Sequence, residues 1–122
     1  ESLLADRNVL TDLAFNAKKS RDLSGFVMSR YAADEAEILT IVVAREHRGA
    51  GVGRRLLETH LPRLSAVGVK TLYLEVEEEN APARKLYDRM GFVAAGLRKA
   101  YYRKPDGTLA NAVIMKRGLD HL

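Results

Sequence analysis

The 122-residue chain changes its hydrophobic period twice, from two to about three and a half and back. Val9 to Asn16 alternates apolar with polar residues, as a half-buried strand does. Lys18 to Asp22 is polar and predicts a hairpin turn, and Gly25 to Arg30 is the next strand. Ala32 to Glu35 turns the chain again into Glu37–Val43, whose Ile38, Leu39, Ile41, Val42 and Val43 form a β-branched apolar run. A three-strand antiparallel meander is predicted, preceded by Leu3-Leu4-Ala5 as the end of a helix or a short lead-in. After Arg45-Glu46-His47 the period becomes helical, with Leu56, Leu57, Leu61 and Leu64 on one side. Pro62 should kink that helix or mark where it restarts, and Gly68 should end it. Thr71 to Val76 is again strongly β-prone and, with a helix intervening, should lie parallel to Glu37–Val43. Ala81 to Met90 carries Ala83, Leu86, Tyr87 and Met90 at helical spacing, with Gly91 as its cap. Phe92-Val93 opens a strand that Ala100–Arg103 continues. Pro105-Asp106-Gly107 turns it, and Ala112–Met115 is the last strand. The expectation is α+β: one domain with a mixed sheet, antiparallel at its ends, and one parallel pair.

Composition narrows the class. The length suits one domain with a real core and is too short for two. No apolar run approaches the ~20 residues of a membrane helix, and no signal-peptide pattern opens the chain. Cys 0 rules out disulfides and cysteine metal ligands and fits a cytoplasmic protein. His47, His60 and His121 lack ligand-like spacing and are expected on the surface or on helices, so no metal is expected. The net charge of +4 raises the question of nucleic acid. The basic residues, however, gather at the glycine-rich turn and at Arg98–Lys104, with Glu75–Glu79 between them. An anionic small molecule accounts for the first cluster more economically, and neither nucleic acid nor membrane is expected as a partner. The chain opens with Glu1 rather than Met and is expected to be a trimmed piece of a longer protein.

Strand, glycine-rich turn and helix in succession make an anion site. Glycine lets the backbone approach an oxygen without a Cβ in the way. The first helical turn offers unpaired N–H groups and the positive end of its dipole. Arg48, Arg54 and Arg55 add charge there. No Gly-x-x-x-x-Gly-Lys-Ser/Thr run exists in the chain. A Gly-x-Gly-x-x-Gly fingerprint fails as well, because its third position falls on Arg54 or Leu56. What stands here is Arg48-x-x-Gly51-x-Gly53, which resembles the Arg/Gln-x-x-Gly-x-Gly/Ala signature of the GNAT family of N-acetyltransferases. The resemblance implies acetyl-coenzyme A as cosubstrate. It places the pyrophosphate on Gly49, Ala50, Gly51, Val52, Gly53 and Arg54 beside Arg48, and the pantetheine along Ile41, Val42 and Val43. A backbone N–H near Val43 would polarise the thioester carbonyl.

The second half carries the chemistry. Leu74-Glu75-Val76, Asn80, Ala83, Leu86-Tyr87 and Gly91-Phe92 stand in register with the same family's second half. Acetyl transfer from a thioester to an amine needs a neutral nucleophile, an acceptor for its proton and a donor to the departing thiolate. A carboxylate at a strand end, Glu75, can accept the proton directly or through water, and a phenol, Tyr87, can donate to sulfur. Free phenol titrates near 10 and thiol near 8.5, so full transfer from Tyr87 is uphill unless its environment helps. Asn80 caps the helix and can also bond the pantetheine arm. Each residue alone has an ordinary structural explanation: a strand-end acid, a core aromatic, an N-cap. Their common register downstream of Arg48–Gly53 is what favours the chemical one.

Arg98 to Tyr102, Gly107 and Asn111-Ala-Val-Ile-Met115 resemble the tail of the RimI-type group of that family, which modifies N-terminal amines of ribosomal and other proteins. The likeness runs from about Gly25 to Met115 and implies an acceptor peptide flanked by Tyr101 and Tyr102. Asn111 departs from it, standing where Asp is usual, and the family's first strand and substrate-side helices have no room before Val9. With no cysteine there is no acyl-enzyme relay, so direct attack on the thioester is expected. Rival readings are a binding module for acetyl-coenzyme A and a transferase acting on a small-molecule or lysine amine.

Overall fold

The computed structural model describes residues 8–16 and 22–120. Leu3-Leu4-Ala5 and most of the Lys18–Asp22 turn lie outside them. The elements are β1 (Val9–Phe15), β2 (Leu23–Ala32), β3 (Glu35–Val43), a 3-10 turn (Arg45–His47), α1 (Val52–Ala66), β4 (Thr71–Glu77), α2 (Ala81–Arg89), β5 (Val93–Arg103) and β6 (Leu109–Gly118). Six strands make one mixed sheet in the order β1-β2-β3-β4-β6-β5, with one parallel pair. The chain divides into two compact units, one up to Leu72 with the segment from Gly118 onward, the other Tyr73–Arg117.

In the first unit β1, β2 and β3 form the expected meander, with Val9 opposite Arg30 and Gly25 opposite Val43. α1 packs on all three strands. Its buried residues are Val52, Leu56, Leu57, His60, Leu61 and Leu64, spaced three or four apart along one stripe. Each leucine taken out of water there stabilises by about 1.5–3 kcal/mol. Pro62 does not mark a restart, since α1 is continuous for 15 residues. Its ring lies on the exposed side, and the leucine stripe keeps the helix in place across the missing N–H bond. The end comes at Gly68, φ +99°, where the Val69 N–H folds back to the Leu64 carbonyl at 3.1 Å.

His60 lies on a helix, α1, and not at the surface. It is fully buried, with Nδ1 2.7 Å from Asp12 Oδ2 and Nε2 2.7 Å from Ser29 Oγ. A carboxylate only accepts, so Nδ1 carries the hydrogen and the Ser29 hydroxyl donates to Nε2. Arg63 closes the group from the solvent side onto Asp12. Asp, His and Ser in this order resemble a nucleophilic triad, but Ser29 and His60 have no exposed surface for a substrate to reach. The group ties β1, β2 and α1 together.

β4 alternates strictly, and its part in the second unit buries Leu74 and Val76 and turns Tyr73, Glu75 and Glu77 to the half-exposed face. α2 begins at Asn80, whose Oδ1 accepts the Ala83 N–H at 3.2 Å. It ends at Gly91, φ +88°, with the Phe92 N–H on the Tyr87 carbonyl at 2.9 Å. β5 and β6 form an antiparallel hairpin around Pro105–Gly107. β6 buries Ala110, Ala112, Val113 and Met115, while β5, the edge strand, is exposed almost throughout. β5 is not regular. Between Arg98 and Tyr102 its register against β6 skips, and Ala100 sits in the left-handed region at φ +54°.

Candidate active site

The glycine-rich turn in the first unit is shaped by two backbone reversals, Gly49 at φ +81° and Gly51 at φ +79°. Gly51 is the N-cap of α1, no side chain caps the helix, and no acid stands in its first turn. The amides at its start are therefore left for an outside acceptor. Two of the arginines brace the turn: Arg48 Nε donates to the Val43 carbonyl at 3.3 Å, and Arg55 donates to the Ala50 carbonyl at 2.9 Å. Arg54 reaches down its helix to Glu58 at 3.2 Å and is exposed. Ala50 is exposed as well, whereas Val52 is buried and Gly53, in the first helical turn, is half-buried. Ile41, Val42 and Val43 end β3 directly before this turn, paired with Val27, Phe26 and Gly25 of β2.

The second unit gathers the proposed acid–base residues. Glu75 is mostly buried and its carboxylate is paired with Arg98 Nε at 3.0 Å. The Arg98 guanidinium lies over the Tyr101 ring, 5.3 Å from its centre. Tyr101 meets Tyr102 edge to face at 5.3 Å. Burial pushes the Tyr102 phenol above its usual value, and the charge of Glu75 adds to the push. Tyr87 is buried on α2 against Phe92, ring centres 5.8 Å apart. Burial raises its phenol too, with Tyr102 as the second cause. Tyr102 is thus the electrostatic neighbour of both Glu75 and Tyr87. Raising Tyr87 makes it a poorer acid than free phenol, which suits a hydrogen-bond donor to sulfur better than a full proton source.

The structure places Glu75, Tyr87, Tyr101 and Tyr102 in one unit and adds Arg98 and Asn111, which sequence reasoning did not name as site residues. Asn111 Nδ2 donates to Glu78 Oε1 at 3.0 Å, and its Oδ1 accepts the Ala100 N–H at 2.8 Å. Lys104 pairs with Glu77 at 3.8 Å and also with Glu79. The complementary runs Glu75–Glu79 and Arg98–Lys104 were the available signal, although β6 stands between β4 and β5 and the long Arg98 side chain has to reach past it.

A mixed sheet with a glycine turn opening a helix after its third strand, and a carboxylate and a phenol on the following strand and helix, is the layout of an acyl-coenzyme A transferase fold. The chain belongs to the acetyltransferase (GNAT) family, whose model matches residues 4–92. It is similar to a [ribosomal protein bS18]-alanine N-acetyltransferase of Haemophilus influenzae, 39% identical over 97 residues that make up 80% of this chain and 66% of the relative. The crystal structure of the ribosomal-protein-S18-alanine N-acetyltransferase from Escherichia coli superposes with a TM-score of 0.84 at 32% identity, covering 95% of this chain and 75% of that one. A nourseothricin acetyltransferase structure matches with a TM-score of 0.78 at 37% identity, over 93% of this chain and 67% of that one. The chain thus spans about two thirds of the length of the first of these relatives.

Proposed function

We propose that this chain is an acetyl-coenzyme A-dependent N-acetyltransferase that modifies the α-amine at a protein N-terminus, with a ribosomal protein as the acceptor class. The pyrophosphate is assigned to Gly49–Arg54 with Arg48, and the pantetheine to Ile41–Val43. The amine nitrogen attacks the thioester carbonyl, the C–S bond breaks, and coenzyme A leaves. Glu75 takes the amine proton directly or through water, and Tyr87 hydrogen-bonds the departing sulfur. Tyr101 and Tyr102 flank the acceptor's first residues. The observation that carries this reading is the cluster of Glu75, Arg98, Tyr102 and Tyr87 in one unit of a family member. The likeness to bS18-alanine N-acetyltransferases supports the acceptor class. The test is release of free thiol from acetyl-coenzyme A with a panel of amines. A peptide with free N-terminal Ala or Ser should outpace an N-blocked lysine peptide, and the reverse order overturns the acceptor assignment.

A second reading, a small-molecule acceptor such as nourseothricin, is supported by the likeness to that acetyltransferase. The same panel separates the two when it includes nourseothricin.

A further inference from the structure

β5 loses its register against β6 beside the proposed base. Arg98 stands opposite Ala112 and Tyr102 opposite Ala110, so Lys99, Ala100 and Tyr101 together face the one residue between those alanines, Asn111. A regular strand carries residues four apart across about 13 Å, whereas this register gives Arg98 and Tyr102 neighbouring places on one face, about 7 Å apart. Both thereby come to Glu75. Arg98 is there through its ion pair at 3.0 Å, and Tyr102 as a phenol that burial, and then the charge of Glu75, pushes above its usual value. The same kink lets the Tyr101 and Tyr102 rings meet at 5.3 Å, although successive residues of a regular strand point to opposite faces.

The kink runs through a residue that does not take it up freely. Ala100 is at φ +54°, where an L side chain is strained. Holding it there is a hydrogen bond from the Ala100 N–H to Asn111 Oδ1 at 2.8 Å. A carboxylate only accepts and a backbone N–H only donates, so with Nδ2 on Glu78 Oε1 the Asn111 amide can face only this way. Of the three residues that share Asn111 as their β6 neighbour, its side chain ties down the middle one. We infer that Asn111 is a positioning residue of the transferase site: by holding Ala100 left-handed it sets Tyr102 beside Glu75 and Tyr101 against Tyr102, and so shapes the walls that receive the acceptor's first residues. This rests on the reading of Glu75 as the base and of the two tyrosines as the acceptor's flanks. Asn111 acts through the tyrosines and takes no step of the reaction itself.

The experiment follows thiol release from acetyl-coenzyme A by the whole chain, at a temperature where circular dichroism shows every variant folded. The acceptor is a peptide with free N-terminal Ala and no charged side chains. Asn111→Ala removes the tie and should lower kcat/KM for the peptide at least about tenfold, since small misplacements at a site are costly, with the KM for acetyl-coenzyme A near the parent's. Asn111→Asp keeps an oxygen for the Ala100 N–H and should hold kcat/KM close to the parent's, although it gives up the bond to Glu78. Ala100→Val leaves Asn111 intact but puts a β-branched residue where φ is positive. It should lose as much as Asn111→Ala, and the double variant should lose no more than the worse single one. If folded Asn111→Ala keeps the parent's kcat/KM, or Asn111→Asp loses as much as Asn111→Ala, Asn111 serves stability alone; the inference is overturned and the transferase reading stands. Losses that multiply in the double variant overturn it too. A parent that binds acetyl-coenzyme A but does not acetylate the peptide overturns the transferase reading itself, and this inference with it.

Discussion

Asn111 and Glu78 hold each other twice. The Asn111 side chain donates to the Glu78 carboxylate at 3.0 Å, and the Glu78 N–H donates to the Asn111 backbone carbonyl at 2.8 Å. The remaining oxygen of the Asn111 amide accepts from Ala100, at the kink in β5. One amide thus bonds an acid on one side and an N–H on the other. A carboxylate at 111 would still accept from Ala100 but would face Glu78 as a like charge, which gives asparagine a physical reason to stand here.

It follows that Asn111→Asp should destabilise the chain at neutral pH by about 1 kcal/mol, the order of one lost hydrogen bond in a part-exposed place. Urea unfolding of Asn111→Asp, Glu78→Ala and the double variant measures this. Removing Glu78 should relieve most of the cost of the aspartate. Additive costs would mean the two residues do not interact.

The Asp12–His60–Ser29 group makes a pH prediction. Burial is the largest influence on His60 and lowers it below 6.5, against the opposing pull of Asp12. The folded state therefore holds the proton less tightly than the unfolded chain does. The stability that goes with neutral His60 is complete above 6.5 and is lost as pH falls through 6.5 toward the lowered folded value. Thermal melts of the parent between pH 8 and 5 should fall more steeply than those of His60→Asn, which cannot titrate. Parallel slopes would show that His60 does not couple to folding in this range.

At the glycine-rich turn, Gly51 stands at φ +79°, where an L side chain costs about 1–2 kcal/mol. Gly51→Val should lower the melting temperature and weaken coenzyme A binding at least about tenfold. Gly53→Val, in the first helical turn, should weaken binding without the φ penalty. Arg54→Ala loses only an exposed pair with Glu58, worth up to about 1 kcal/mol, and should bind nearly as the parent does. Calorimetric titration in which both valine variants bind coenzyme A normally would take the pyrophosphate away from this turn.

Much of the fold was legible because its signals are local. Alternation in Val9–Asn16, the apolar run of Glu37–Val43, the leucine stripe of α1 and the asparagine–glycine brackets of α2 are each signals of one element. The errors came where the cause is distant in sequence. The kink at Ala100 depends on a side chain eleven residues away, and nothing in the local run Lys99-Ala100-Tyr101 announces a left-handed residue. Helix α1 runs on through Pro62 because tertiary packing, which local rules leave out, outranks one missing backbone bond. His60 could have been found. It falls between Leu56, Leu57, Leu61 and Leu64 on the apolar stripe, and a histidine there must be buried and needs polar partners. For the site, residue types pointed to Glu75 and Tyr87, whereas Arg98 reaches Glu75 from β5 past the intervening β6 and shows only as complementary charge.

The acid–base assignment is separable by pH. Glu75→Gln keeps size and hydrogen bonding and leaves Arg98 in place, but it cannot accept a proton. The loss should appear in kcat and be about 10²–10⁴-fold near neutral pH. A protein α-amine titrates near 7.7–8.0, so above that range the acceptor arrives neutral and the Glu75→Gln deficit should shrink. Tyr87→Phe keeps the ring against Phe92 and removes only the hydroxyl, whose work is on the leaving group, so its deficit should not shrink with pH. Burial holds Tyr87 above its ordinary 10.0. The phenol therefore stays protonated across the assay range, and the parent should show no alkaline fall in kcat below about pH 10 from this group. Acetyl-coenzyme A affinity should be near the parent's in both variants. If Glu75→Gln turns over like the parent at pH 7, solvent is the base and Glu75 is an anchor for Arg98. If both variants instead lose cofactor affinity, the two residues are walls of the binding site and the assignment of base and donor fails.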